Sequence, residues 1–208
     1  MKLINLGFFK IMNIFSYVTG NSIDVVNILD EWALKAQEYI NIYFEGNREN
    51  TRNTAFWDCV SKIQFLSDAI QFGDQDITID DFRGVVDNNQ VLQAIAAIKE
   101  VEVEYEGERL RAIAIESLTN SPWNVIEQIQ AETKKGSATS LVEEIVKESQ
   151  SKQFGGVVKL FTIPRAKYRY NEIGFIETDG SGEMLLTREL AERFLANQAY
   201  RRSSQLFD

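Results

Sequence analysis

The chain has 208 residues, 44% of them hydrophobic and 25% charged, which is enough apolar side chain to bury a core and argues against disorder. Its formal net charge of -9 predicts no nucleic-acid partner, because a phosphate-binding surface needs clustered Lys and Arg, and it suits a cationic substrate better. With no histidine and one cysteine, the composition excludes Ser-His and Cys-His nucleophiles, His-ligated zinc, a CxxC metal site and an internal disulfide.

Residues 1–19 are rich in Leu, Ile, Phe and Met, as a signal peptide would be. Asn5, Lys10 and Asn13 interrupt the apolar run, and no small-residue cleavage site follows. We therefore expect a buried strand or an added apolar segment there. No apolar run approaches the roughly 20 residues that a membrane span needs, so the sequence predicts a cytoplasmic protein without a membrane span.

Apolar residues at three- and four-residue spacing predict two amphipathic helices in the first part of the chain. One follows Ser22, which we expect to be its N-cap, and runs to about Ile40. The second covers about 54–72 and ends before the polar break at Gly73. The polar stretch between them, 45–53, is predicted to be a surface loop of the kind that often carries substrate selectivity.

From about Gln90 the pattern becomes that of strands. Residues 91–103 and 110–118 are predicted to form neighbouring antiparallel strands joined by a tight turn at 106–109. A helix is then predicted from about Ala138 to Ser149, and a short strand over 157–162.

The C-terminal part is predicted to contain a helix at 166–173, with Gly174 as its left-handed cap. A strand at 183–186 follows, and Thr187 is expected to cap a last helix over about 188–197. Strands and helices in this order predict a mixed α/β sheet.

The stretch around Gly136 is the first with a chemical implication. Gly136, Ser137 and Ala138 are small residues at the start of a predicted helix, and Lys134 and Lys135 precede them. Unpaired backbone N–H groups and the partial positive charge of a helix start can hold a phosphate there. The alternative interpretation is a flexible turn that leads into the helix.

From residue 113 onward the order of parts resembles the GCN5-related N-acetyltransferase superfamily, a group of acyl-CoA-dependent acyltransferases. The matching pieces are the strand 113–118, the glycine turn at Gly136, the strand 157–161 and the segment 166–175, whose AKYRYNEIGF is similar to the family's A..FY...GF ending. Thr133 stands where the family's turn has Gln or Arg, which leaves the two following lysines as substitutes for that phosphate contact.

The resemblance implies a mostly antiparallel mixed sheet flanked by helices, with a splayed strand pair that forms an acyl-CoA cleft. It also implies one acyltransferase domain over 1–208, in which 1–90 is the substrate side, 91–197 binds acyl-CoA and 198–208 is a polar tail. Acetyl-CoA is the default donor, and no metal is expected. A longer acyl-CoA stays open, because four aromatic residues could wall a longer channel: Phe56, Trp57, Phe65 and Trp123.

The resemblance further implies roles for particular residues. Tyr170 aligns with the tyrosine that protonates the departing thiolate, although Tyr168 and Tyr170 as ordinary packing aromatics are the alternative. The pantetheine would meet the backbone of Ile115, Ser117 and Leu118. The pyrophosphate would lie on backbone N–H groups, with charge supplied by one or both neighbouring lysines: Gly136, Ser137, Ala138, Thr139, Lys134 and Lys135.

Two further features of this region stay open. Glu116 lies on the central strand as a candidate general base, or as a solvated charge near the strand end, because alternation alone does not decide which face lines the cleft. The segment 118–124, LTNSPWN, is similar to an L.t.PWN segment of some superfamily members. Its tryptophan either fills the core or lines the acyl-donor cleft.

These implications lead to an N-acyltransferase that moves an acyl group from acyl-CoA to a primary amine of a small molecule or a peptide by direct attack. Two alternatives remain: a fatty-acyltransferase that lipidates a peptide, and a non-catalytic acyl-CoA-binding or partner-binding module with the same fold. A homodimer is also left open.

Overall fold

The computed structural model describes residues 15–73 and 77–204. Of the predicted apolar segment at the start of the chain, only its end lies in these ranges, where Ser16–Thr19 forms strand β1. The rest of that prediction lies outside the described residues, as do residues 205–208 of the predicted tail. Among the helices of the two described ranges, none is long and apolar enough to cross a membrane.

Two helices follow β1, as predicted. α1 spans Val25–Tyr43 and α2 spans Ala55–Phe72. Asp24 caps α1, because its side chain accepts a hydrogen bond from the backbone N–H of Asn27. The prediction of Ser22 as the cap was wrong, since Ser22 ends a short 3-10 turn that comes just before the helix.

The remaining strands are β2 (Phe82–Val86), β3 (Leu92–Tyr105), β4 (Glu108–Asn120), β5 (Val158–Phe161), β6 (Ile176–Glu177) and β7 (Glu183–Leu186). They form one sheet with β1 in the order β1-β2-β3-β4-β5-β7-β6. Every neighbouring pair is antiparallel except β4 with β5. The predicted mixed, mostly antiparallel sheet flanked by helices is therefore confirmed. The sequence did not predict β2 or β6.

Three more helices complete the fold: α3 (Ser137–Ser151), α4 (Lys167–Ile173) and α5 (Arg188–Ser204). Gly174 closes α4 with φ +115, as expected of a left-handed cap. α5 ends at Ser204 rather than near residue 197. Its last buried residue is Phe194, so no apolar repeat in the sequence marks the final turns of this helix.

Helices cover both faces of the sheet. α1 and α2 pack on one face, where Trp32 and Leu66 are buried with Ile95 of β3. α3 and α5 pack on the other face, where Ile145 and Phe194 are buried in a second cluster. Burying each of these large apolar side chains contributes about 1.5–3 kcal/mol, so the two clusters hold the layers together.

A β-bulge interrupts the alternation of side chains in β4. The register between β3 and β4 shifts between Ala97 and Ile98, because Glu116 is an extra residue on the β4 side. As a result, Leu118 shares the α3 face of the sheet with Ile115. In a strand that alternates regularly, these two side chains would lie on opposite faces of the sheet.

Candidate functional site

β4 and β5 separate beyond a short parallel pairing. Residues 113–115 of β4 pair with residues 158–160 of β5, and no register pair joins the two strands after that point. β4 continues past its bulge to Asn120, while β5 ends at Phe161. Within the described ranges, the end of β4 thus has one edge that no strand covers. This edge borders a cleft of about 740 Å³, a volume typical of ligand sites.

Four other parts of the fold line the cleft together with the end of β4. α2 contributes one helical face, because three- and four-residue spacing brings its residues into line. The loop before α3 and the first turn of α3 form the next wall, and α4 and α5 close the remainder. The lining residues outside the α3 loop include Ala55, Asp58, Cys59 and Lys62 of α2, Tyr168, Arg169 and Tyr170 of α4, and Gln198 and Arg201 of α5.

The loop before α3 places backbone N–H groups at the cleft wall. Gly136 has φ +89, and a Cβ added there would meet nothing within 4 Å, so glycine is needed for the backbone conformation rather than for space. The helix begins with the bond from Ser140 N to Gly136 O at 2.9 Å, and no side chain caps it. The N–H groups of residues 137–139 thus lack intrahelical partners, as an anion site requires.

A network of polar side chains fixes this loop to the sheet. The backbone N–H of Lys134 donates to Asn124 Oδ1 at 2.6 Å, and Asn124 Nδ2 donates to Gln93 Oε1 at 2.9 Å. Ser137 Oγ donates to Asn120 Oδ1 at 2.8 Å. Gln93 is fully buried, so these bonds form where water does not compete and each adds to the rigidity of the loop.

Thr133 and Trp123 belong to this network. Thr133 Oγ1 donates to the Trp123 carbonyl at 2.8 Å and accepts from the Gln130 N–H at 3.0 Å, so the residue that departs from the expected Gln or Arg shapes the loop. The Trp123 ring N–H donates to Gln93 Oε1 at 3.0 Å, and its ring meets Trp32 edge-on at 6.0 Å. Trp123 is buried in the core and does not line the cleft, which decides between its two interpretations.

Tyr170 lies in α4 at the cleft wall and is partly buried. Its ring packs edge-on against Phe175, with 5.7 Å between ring centroids. Burial raises the pKa of Tyr170, so the phenol keeps its proton at neutral pH. The two interpretations of this residue are therefore compatible: the ring packs, and the hydroxyl holds a proton beside the cleft.

The structure brings most of the predicted site residues to the cleft but not all of them. Those that line it are Leu118, Lys134, Lys135, Gly136, Ser137, Ala138, Thr139 and Tyr170. Ile115 lies below the splay, buried and paired with Leu160 of β5. Ser117 is buried away from the cleft, and its hydroxyl has no hydrogen-bond partner among the described residues.

The position of Glu116 bears on its two interpretations. Its side chain is exposed and does not line the cleft, which favours the solvated charge over the general base, the two alternatives that the sequence left open. The physical reason is the bulge, in which Glu116 is the extra residue and leaves the regular alternation of the strand.

α2 presents two hydrogen-bond donors to the open edge of β4. Lys62 Nζ donates to the Leu118 carbonyl at 2.7 Å, and Cys59 Sγ donates to the Asn120 carbonyl at 3.3 Å. Burial lowers the pKa of Lys62 and raises the pKa of Cys59 to about 12, so the thiol stays protonated. Sequence reasoning missed Lys62. The available signal was a lysine four residues before the buried Leu66, close to the apolar face of α2.

Arg201 and Gln198 reach the cleft from α5, beyond the helix end that the sequence predicted. Arg202 fixes this part of α5, because its guanidinium donates to both oxygens of Glu143 in α3, at 2.6 and 2.7 Å. The Glu143 side chain is only 3% exposed, so the pair is a firm anchor between the two helices.

The charge of the cleft differs from that of the whole chain. Its lining includes five Lys or Arg residues (Lys62, Lys134, Lys135, Arg169, Arg201) and two acids (Asp58, Glu172). Asp58 also forms an ion pair with Arg165, in the turn before α4, with Nε and Oδ2 2.8 Å apart. A chain with a net charge of -9 thus carries a locally cationic cleft.

No protein-family model matches the sequence, and no curated protein does. Several solved structures are similar. AtaT complexed with acetyl-methionyl-tRNAfMet is 10% identical over 64% of this chain and 85% of that one, with a TM-score of 0.46. A KacTA–DNA complex is 15% identical over 64% and 86%, with a TM-score of 0.43. A GCN5-related N-acetyltransferase from Kribbella flavida is 15% identical over 78% and 33%, with a TM-score of 0.41.

The fold resembles that of the GCN5-related N-acetyltransferases. The predicted resemblance is confirmed at the level of the fold. At these identities and TM-scores the likeness concerns the arrangement of strands and helices, and nothing about substrates follows from it.

One expectation about partners is overturned. The net charge was taken to exclude nucleic acid, yet the cleft of this chain is lined by five Lys or Arg residues and two acids. The inference failed because net charge is a sum over the whole surface, whereas phosphate binding depends on local clusters of Lys and Arg. The cationic lining of the cleft is such a local departure from the sum.

Proposed function

We propose that this protein is an acyl-CoA-dependent N-acyltransferase that passes an acyl group, acetyl by default, from a thioester to a primary amine. The observation that supports this most is the meeting of three features in one cleft: the open edge of β4, the uncapped start of α3 and Tyr170. Each suits a different part of an acyl-CoA molecule.

The start of α3 suits the pyrophosphate. Residues 137–139 offer backbone N–H groups without intrahelical partners, and the positive end of the helix dipole favours an anion. Lys134 and Lys135 add positive charge to the same wall. The open edge of β4 next to it suits the pantetheine arm, whose amides can pair with strand backbone from Leu118 to Asn120.

Tyr170 suits the leaving group. When an amine attacks the thioester carbonyl, the C–S bond breaks and a thiolate leaves, which a proton from a nearby acid stabilises. The phenol of Tyr170 is that acid in our proposal, because Tyr170 lines the cleft and a phenol is protonated at neutral pH. The acceptor amine loses its proton to solvent, since the carboxylate predicted for this task on β4 lies outside the cleft.

A short acyl group is the donor that the cleft favours. The aromatic residues that the sequence offered as walls of a long acyl channel do not line it: Phe56, Trp57, Phe65 and Trp123. Two of them, Phe56 and Trp123, are buried in the core cluster that α1 and α2 form with the sheet. Acetyl-CoA is therefore the first donor to test.

The proposal is tested by binding and by turnover. Acetyl-CoA at a hundred times its dissociation constant is expected to stabilise the fold by about 2.7 kcal/mol, which a thermal shift detects. Release of the CoA thiol is then followed with amines on small molecules, peptides and aminoacyl-tRNA. Tyr170→Phe is expected to keep donor affinity and to lower turnover by about 100-fold.

The control is Tyr200→Phe, which alters an exposed phenol of α5 that does not line the cleft. No stabilisation by any acyl-CoA would refute the proposal. Donor binding without thiol release across the whole panel would favour a non-catalytic acyl-CoA-binding module.

A further inference from the structure

Lys62 is an amine that the proposed transfer reaction does not use, yet it lies inside the proposed donor cleft. It projects from α2 and donates from Nζ to the Leu118 carbonyl at 2.7 Å. Leu118 belongs to the stretch of β4 that runs beyond its pairing with β5. Lys62 therefore occupies the strand edge along which, under the proposed function, the pantetheine arm extends.

The direction of the donor brings its thioester toward Lys62. The start of α3 is tied to the end of β4, because Ser137 Oγ bonds to Asn120 Oδ1. A donor whose pyrophosphate sits at the start of α3 runs back along β4, from Asn120 toward Leu118. Under the proposed function, the thioester at the far end of that arm would lie toward Leu118, whose carbonyl holds Lys62 Nζ.

The surroundings of Lys62 favour an uncharged amine. Among the ion pairs of the described residues none includes Lys62, and its one hydrogen-bond acceptor is a backbone carbonyl. Burial lowers the pKa of Lys62, which increases the neutral fraction that can act as a nucleophile. The other cleft lysines, Lys134 and Lys135, lie at the opposite end, beside the start of α3.

We infer that Lys62 is a site of self-acylation, at which the protein transfers an acyl group from its own bound acyl-CoA to the Lys62 side chain. This inference rests on the proposed function, because it requires the donor to lie in the same cleft. The modification would leave an acyl-lysine on the open edge of β4.

The chemistry balances without any further reactant. The lone pair of Nζ forms a bond to the thioester carbonyl carbon, and the C–S bond breaks with its electron pair leaving on sulfur. Nζ loses one proton to solvent, and the thiolate gains one from the Tyr170 phenol or from water. The products are an amide on Lys62 and free CoA.

To test this inference, the protein is incubated with acetyl-CoA, and its intact mass and its peptide map are measured over time. We expect one acetyl group on Lys62, added at least about tenfold faster than on Lys35, a lysine of α1 that pairs with Glu38 outside the cleft lining, because a bound donor raises the local concentration of thioester. Excess CoA is expected to slow acetylation of Lys62 and to leave Lys35 unaffected.

Lys62→Arg and Lys62→Met are the matched variants. Arg keeps N–H donors for the Leu118 carbonyl and Met keeps the unbranched apolar stem, so at least one is expected to fold and to show the acetyl-CoA thermal shift without rapid acetylation. Acetyl-CoA binding with Lys62 modified no faster than Lys35 would overturn this inference and leave the proposed function standing. The absence of any acyl-CoA binding would overturn both.

Discussion

Ser137 Oγ donates a hydrogen bond to Asn120 Oδ1 across 2.8 Å and so ties the first residue of α3 to the last residue of β4. The two backbone features that our proposal assigns to the donor, the helix start and the open strand edge, are thereby held in one fixed relation. Ser137 is 2% exposed, so this bond is protected from water.

Removing the Ser137 hydroxyl tests this relation. Ser137→Ala leaves the Asn120 amide oxygen without its donor, and we expect the free energy of unfolding to fall by about 1–2 kcal/mol. CoA affinity is expected to fall with it, because the helix start and the strand edge are no longer fixed to one another. Urea denaturation and calorimetric titration measure the two effects. Ser140→Ala, in the same helix, is the control, and an equal loss of CoA affinity there would count against this role.

Gly136 and Gly180 form a matched pair for the phosphate loop. Both have positive φ, +89 and +80, and a Cβ added at either would meet nothing within 4 Å. Gly136→Ala and Gly180→Ala are therefore each expected to lower stability by about 1–2 kcal/mol through backbone strain alone. Only Gly136→Ala is expected to weaken CoA binding, since Gly180 lies in the turn before β7. Equal CoA affinities of the two variants would remove Gly136 from the donor site.

The overall architecture was readable from the sequence, whereas β2, the bulge and the last helix turns were not. α2 and β7 follow clear apolar patterns, so their bounds were predicted closely. β2 carries Arg83 and Gly84 in a run of five residues, which hides its strand character. The bulge at Glu116 depends on pairing with β3 and leaves no local signal, so the sequence could not assign the faces of β4.

The cleft was predicted only in part, because some of its walls follow from local sequence and others from tertiary packing. Its α3 wall follows from local residues, because a glycine before an amphipathic helix is a property of a short segment. Lys62 and Arg201 enter it from α2 and α5, which lie far away in the sequence. Only tertiary packing, including the Arg202 to Glu143 anchor, brings them to the donor site.

Arg201 is expected to contact an anionic part of the donor. It lines the cleft from α5, next to Arg202, which binds Glu143 of α3, and the 3′-phosphate is the CoA group that lies beyond the pyrophosphate. Arg201→Gln is expected to weaken CoA binding by about tenfold, the size of one charge-assisted contact, and to leave dephospho-CoA binding almost unchanged. Arg193→Gln, at an exposed ion pair of α5, is the control. Equal losses for CoA and dephospho-CoA would contradict a 3′-phosphate contact.

Glu143 makes the anchoring of α5 sensitive to acid. Burial raises the pKa of Glu143, but hydrogen bonds from Arg202 and Lys147 outweigh it, and the net pKa lies below its ordinary value. A carboxyl with a lowered folded-state pKa stabilises the fold above its unfolded pKa, and this contribution is lost as the pH falls through the folded value.

The stability advantage of the wild type over Glu143→Gln is therefore expected to be largest above about pH 5 and to shrink in more acidic solution. Thermal melts of both proteins across pH measure it, and hydrogen exchange of α5 reports the loosening directly. A difference in Tm that does not change with pH would show that Glu143 is not ionised in this pair.

A crystal structure with CoA bound tests the central claim most directly. Our account predicts the pyrophosphate on the backbone N–H groups of residues 137–139 and the pantetheine arm along β4 from Asn120 toward Leu118, with its sulfur on the Tyr170 and Lys62 side of the cleft. CoA bound elsewhere on the protein, with the open edge of β4 unoccupied, would contradict it.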